Sequence, residues 1–187
     1  MRIFVHAHGR RKPGQLVEPY GKVLNRLSDG QAVADFKIRR ATAKDIGVLV
    51  EHRHKMFEDM TDATADELKV QDASYGVWAR EMMKKKLLHG YIAQTKDGTP
   101  AASGCVWLRE VQPSPGRPAG RVPYVLSVYT VPEFRRNGLA SMVVEEAMAW
   151  AKREGYHKIV LHASTVGRKV YTKLGWKRGR EMEFYFE

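Results

Sequence analysis

Apolar and polar residues alternate through DFKIRRA, Asp35 to Ala41, which is the period of a half-buried strand. The period then lengthens. In TAKDIGVLVEHRHKMFEDM, Ile46, Val50, His54 and Phe57 return at helical steps, and Thr42 and Asp45 have the spacing of a capping box. TADELKVQDASYGVWAREMMKKKLLHG predicts one or two further helices ending at Gly90. YIAQTKDGTPAASGCVWLREV predicts a hairpin that turns at Lys96-Asp97-Gly98, because Asp-Gly suits a tight hairpin turn. QPSPGRPAGRVP is a Pro- and Gly-rich loop, and YVLSVYTV a strongly β-prone strand. The next helix carries Met142, Val143, Glu146, Ala147, Trp150 and Ala151 along one stripe and stops at Gly155. HKIVLHAS predicts a strand, TVGRKVYTKLG a short helix ended by Gly175, and WKRGREMEFYFE a closing alternating strand. This order predicts an α/β (or α+β) chain with a single sheet and helices on both faces.

Residues 1–34 break the pattern. HAHGRRKPGQ is basic and turn-rich, and LVEPYGKVLNRL is a weak helical pattern interrupted by Pro19 and Gly21. They predict an N-terminal basic arm, weakly structured or in contact with the partner of a homodimer, ahead of a domain over 35–187. At 187 residues with 43% hydrophobic content, the chain can bury one full core. The formal net charge of +11 attracts polyanions without choosing among nucleic acid, acidic lipid and phosphorylated cofactors. The single cysteine, Cys105, excludes an internal disulfide and a cysteine-rich metal site, which fits a reducing cytoplasm. The apolar run before His6 is too short for a signal peptide, and no stretch reaches the length of a membrane span.

The candidate chemistry starts at VPEFRRNGLASMVVEEAMAW. Arg135, Arg136 and Asn137 precede Gly138 at the start of a helix, where unpaired N–H groups already make the backbone positive. Cations are tolerated there when an anion sits on the helix end, and Gly138 allows both the turn and a close approach. A plain capping turn is the alternative. The loop has neither the spacing of a nucleotide-binding G-x-x-x-x-G-K-[ST] loop nor three glycines of a dinucleotide fingerprint, so a short pyrophosphate cradle is what remains.

In this context the chain resembles the GNAT superfamily of N-acetyltransferases. Arg135, Gly138 and Ala140 match its [Q/R]-x-x-G-x-[G/A] signature, and LHASTVGRKVYTKLGW resembles its strand, short helix and terminal Y-x-x-L-G-[F/W]. The resemblance spans Asp35 to Glu187. It implies a mixed, mostly antiparallel sheet of about six to seven strands, and transfer of an acetyl group from acetyl-CoA to a primary amine on a small molecule or peptide. It further implies that the backbone of Arg136, Asn137, Gly138, Leu139, Ala140 and Ser141 holds the CoA pyrophosphate. Tyr129, Thr130 and Val131 would pair with the pantetheine arm and the acetyl carbonyl. Ser164 would meet the pantetheine, and Tyr171 would protonate the leaving thiolate. No metal is implied.

An alkyl amine is only about one part in 2,500 free base at neutral pH, a handicap of roughly 4–5 kcal/mol, so the acceptor's proton must be removed. The strand YVLSVYTV has no carboxylate, where some relatives carry a catalytic glutamate. Ser127 or Tyr129 holding a water, and His54, Glu58, Asp59 or Glu110 from neighbouring elements, are the alternatives. A backbone N–H near Val128 or Tyr129 would stabilise charge on the acyl oxygen. The acceptor pocket is expected between His54 and Asp72 and between Glu110 and Arg121. Trp78, Trp107 and Tyr75 are expected in the core or the acceptor cleft, and Cys105 in the core. The competing reading is a catalytically inactive CoA- or nucleic-acid-binding module, which the net charge favours.

Overall fold

A computed structural model describes residues 36–113, 115, 120–179 and 181–182. The basic arm over 1–34 lies outside the described residues, as does half of the expected closing strand; its described residues from Trp176 onward belong to no strand. Five strands, β1 (Phe36–Arg40), β2 (Leu88–Thr95), β3 (Pro100–Glu110), β4 (Arg121–Thr130) and β5 (Val160–Leu161), lie side by side in chain order. Neighbours are antiparallel except β4 and β5, which are parallel. This is the mixed, mostly antiparallel sheet expected, with fewer strands than six to seven among the described residues.

Four helices cover the sheet: α1 (Ile46–Met60), α2 (Ala65–Lys84), α3 (Leu139–Arg153) and α4 (Thr165–Lys173). The Thr42–Asp45 capping box forms, in a 3-10 turn just ahead of α1, and Thr64 with Glu67 repeats it at α2. Strand alternation then sorts the faces. Ile92 and Cys105 pack with Leu49, Tyr75 and Ala79 of α1 and α2. Tyr91, Val106 and Val125 pack with Val143, Ala147 and Trp150 of α3. Each large apolar side chain so buried contributes about 1.5–3 kcal/mol before entropy is counted.

Three boundaries differ from expectation, the first being the strand expected over HKIVLHAS, which is only Val160–Leu161. The helix expected to run to Gly90 stops at Lys84, because Lys86 takes a left-handed φ of 57° and turns the chain into β2. Gly90 is a strand residue instead; a Cβ there would lie 2.8 Å from the Ala41 Cβ. The loop expected through Pro123 is shorter, since Arg121, Val122 and Pro123 already pair with Glu110, Arg109 and Leu108.

Candidate active site

The site begins with an irregularity in β4. Ser103 pairs with Tyr129 but Cys105 with Leu126, so β4 carries one extra residue opposite Gly104. Ser127 takes a φ of 52°, left-handed for a residue with a side chain, as a bulge requires. On its other side β4 pairs with β5 only at Tyr124 and Val125. Beyond them the two parallel strands part, and among the described residues nothing pairs with the β5-facing edge of Leu126–Thr130. Parallel strands end at the same end of the sheet, so α3 and α4, which follow β4 and β5, both start at the mouth of this opening. Ligands of open α/β sheets bind where strands diverge at their carboxyl ends, for the same reason.

The three expected strand residues differ in what they offer. The Val131 N–H donates to the Ala101 C=O at 3.0 Å, and the Val131 C=O accepts from the Phe134 N–H at 2.9 Å, so its main chain is committed. Antiparallel alternation turns Tyr129 towards β3 as well and leaves Thr130 facing the opening. The Thr130 hydroxyl oxygen is buried there with no partner.

The turn into α3 is unusually left-handed. Arg136 has a φ of 68° and Gly138 one of 73°. Gly138 is the N-cap and offers no side-chain cap. The first α3 backbone bond runs from the Met142 N–H to the Gly138 C=O, so Leu139, Ala140 and Ser141 direct N–H groups out of the helix end. Asn137 braces the turn by donating from Nδ2 to the Phe134 C=O at 3.2 Å. Arg136 is exposed and makes no bond to the described residues, while its backbone holds a conformation that costs about 1–2 kcal/mol. Arg135 is employed elsewhere. It pairs with Asp59 of α1 at 2.5 Å and donates from Nε to the Thr130 C=O at 3.1 Å. Of the two arginines, Arg136 is therefore the one available to an anion.

Ser164 caps α4, its hydroxyl accepting from the Gly167 N–H at 3.1 Å. Tyr171 is partly buried on α4, its ring 6.0 Å from that of Trp176. Burial raises its hydroxyl above the ordinary value, and that hydroxyl bonds to nothing among the described residues.

On the opposite side of β4, Lys55, Glu58 and Asp59 of α1 meet Tyr129, Val131 and Pro132 around a cavity of about 280 Å³. His52, which the sequence reading passed over, is buried between Ser103 and Tyr129: its Nδ1 shares a 2.9 Å hydrogen bond with the Ser103 hydroxyl, and its ring lies 5.6 Å from the Tyr129 ring. Desolvation lowers its pKa. The signal available was its place one helical turn after Leu49 and one before Met56, the same evidence that marks any core residue. His54 turns away from the sheet, to Asp72 at 2.7 Å and Glu58 at 3.5 Å, at the edge of a wide groove of about 600 Å³ between α1 and α2. Glu110 faces Arg121 at the start of β4, about 30 Å of strand from Thr130. The structure does not bring either to the mouth. Tyr75, Trp78 and Trp107 form an aromatic cluster beneath α2, and Cys105 is buried with its thiol pushed up to about 12 by desolvation.

Residues 53–176 match the family model of the acetyltransferase (GNAT) family. The chain belongs to that family. No curated protein matches it. Among solved structures it is similar to a predicted acetyltransferase with acetyl-CoA from Clostridium acetobutylicum, at 27% identity, 81% of this chain, 96% of that chain and a TM-score of 0.72. A GCN5-related N-acetyltransferase from Ralstonia eutropha is 24% identical over 81% of this chain and 98% of that one, also with a TM-score of 0.72. An aminoglycoside 6'-N-acetyltransferase from Acinetobacter haemolyticus shares the fold at 18% identity, covering 81% and 97%, with a TM-score of 0.60. In GNAT terms, the parted strands and the α3 turn are where acetyl-CoA, the family's acyl donor, must be tested for fit. The residues suit it: an unpaired strand edge matches an amide-bearing arm, and a helix N-terminus without a side-chain cap matches a pyrophosphate. No helix among the described residues is long and apolar enough to cross a membrane.

Proposed function

We propose that this GNAT acetyltransferase moves an acetyl group from acetyl-CoA to a primary amine by direct attack in a ternary complex. The observation that carries the reading is the opening along Leu126–Thr130, which ends at the left-handed turn of Arg136 and Gly138. Acetyl-CoA supplies the activated acyl group. Thr130, whose C=O already accepts from Arg135, offers its N–H to the pantetheine arm, and Arg136–Ser141 hold the pyrophosphate by N–H groups and the free Arg136 guanidinium. Ser164 borders the arm from α4. Tyr171, protonated at neutral pH, gives its proton to the departing sulfur. Direct attack is supported by Cys105: the single thiol of the chain is buried and held above the range where a thiolate forms, so it cannot carry the acyl group. Tyr129 and the small cavity beside it border the acceptor from the α1 side.

Thermal unfolding with acetyl-CoA, ATP and a short DNA duplex at two salt concentrations tests this. A ligand that binds only the folded state raises the midpoint. A shift with acetyl-CoA well above that with ATP is expected. No shift with acetyl-CoA, together with a salt-sensitive shift with DNA, would replace the enzyme with a nucleic-acid-binding module, the reading that the +11 charge favours.

A further inference from the structure

Arg53 is the group that the reaction above leaves unused. It sits on α1 with its guanidinium carbon 4.6 Å from the centre of the Phe57 ring and 4.5 Å from that of Tyr75. Its Nη1 is buried without a partner, and among the described residues the side chain makes no hydrogen bond and no ion pair. Two arginines near the sheet have carboxylate partners: Arg39 has Asp45 at 2.7 Å, and Arg135 has Asp59. The carboxylate nearest in kind, Asp72, is taken by His54. Burial is the largest influence on Arg53 and lowers its pKa, where Arg39 and Arg135 are raised by their carboxylates. A guanidinium nitrogen buried without an acceptor is destabilising, since its donors have given up water for nothing. The two rings hold it by cation–π contact and fix the direction of its fork.

Its position gives this meaning. The Tyr75 hydroxyl lies 3.9 Å from the Cys105 sulfur, and Cys105 pairs with Leu126, next to the bulge residue Ser127. Arg53 therefore stands over the β4 bulge from the α1/α2 side. That is the side left for the acceptor when the acyl donor enters from the β5 side.

We propose that Arg53 receives an oxyanion carried by the acceptor itself, so that the amine acetylated is an amino acid or another small amine bearing a carboxylate or phosphate. The planar fork suits either group bidentately. The inference rests on the acetyltransferase reading.

The test measures thiol release from acetyl-CoA with matched amines: free amino acids against their amides for the carboxylate, and O-phosphoethanolamine against ethanolamine for the phosphate. In one of the two series the anionic member is expected to lead in kcat/KM by about tenfold or more, the worth of one charge-assisted hydrogen bond. Arg53→Gln should erase that lead, and Arg53→Lys, which keeps charge without the fork, should retain part of it. The acetyl-CoA midpoint shift shows that each variant is folded; if Arg53→Gln is not, the Arg53→Lys ratio decides. Acetyl-CoA binding with no lead for any anionic amine, or a lead that survives Arg53→Gln, would overturn the proposal alone. Absence of acetyl-CoA binding would remove the acetyltransferase reading and this inference with it.

Discussion

On its β5 side, β4 presents main chain: an unpaired edge, then a turn whose N–H groups point outward from α3. On its α1/α2 side it presents side chains: His52 against Tyr129 and Ser103, Arg53 between two rings, Glu58 and Asp59 around a small cavity. On the function proposed above, the difference follows from what each side has to recognise. An acyl donor that is the same for a whole family can be held by backbone groups, which any sequence supplies once strand and turn have the right shape. An acceptor that differs between members has to be read by side chains, which change without disturbing the sheet.

The sharpest way to break the comparison is to spoil the main-chain side. Gly138→Val puts a β-branched residue at a φ of 73°. Acetyl-CoA affinity, followed by calorimetry, should fall by on the order of 100-fold as phosphate contacts are lost. The fold should survive a strain of a few kcal/mol. Unchanged affinity would mean that the turn is only a cap. Tyr171→Phe should slow single-turnover acetyl transfer by about 100-fold, the usual worth of a positioned acid, while leaving the acetyl-CoA midpoint shift in place. An unchanged rate would make Tyr171 an anchor for α4.

The side-chain flank should respond through stability and pH. Burial holds His52 below its ordinary pKa of about 6.5, so between that value and the lower folded one the unfolded chain binds a proton that the folded chain refuses. Its contribution to stability is whole above about pH 6.5 and is lost as the pH falls through that window. His52→Phe should flatten this slope in urea titrations between neutral and mildly acid pH. It should also cost about 1–3 kcal/mol at neutral pH, because the buried Ser103 hydroxyl loses its partner. An equally steep slope in the variant would assign the pH dependence to His89, which is depressed in the same way. The smallest effect belongs to the tie between the flanks. Asp59→Asn breaks a pair whose side chains are 45% and 46% exposed, and the thermal midpoint should report no more than about 1 kcal/mol.

The same contrast explains what could be read from the chain. The helix N-terminus at Gly138 was legible because its parts are contiguous: two arginines, an asparagine and a glycine in succession, running straight into the apolar stripe of α3. The opening beside it was not, since β5 reveals its short pairing only in three dimensions. Nor was the employment of Arg135, whose carboxylate lies 76 residues away on α1. The α1/α2 flank was the least legible. Arg53, Tyr75 and Ser127 come from three elements, and the bulge defeats strand alternation. In YVLSVYTV a strict two-residue period would put Tyr129 with Val125, whereas Tyr129 shares the face of Leu126 and meets His52.

The parting of β4 and β5 also leaves a signature in time. An unpaired strand edge invites association with other chains, but this one is recessed inside a sheet, between β5 and the start of α3, where no foreign strand can lie along it. Its outward amides therefore exchange with solvent while their neighbours, bonded to β3, are protected. Hydrogen exchange along Leu126–Thr130 should alternate between fast and slow in the free protein and become uniformly slow with acetyl-CoA bound. The strand would then serve as its own reporter of occupancy, amide by amide.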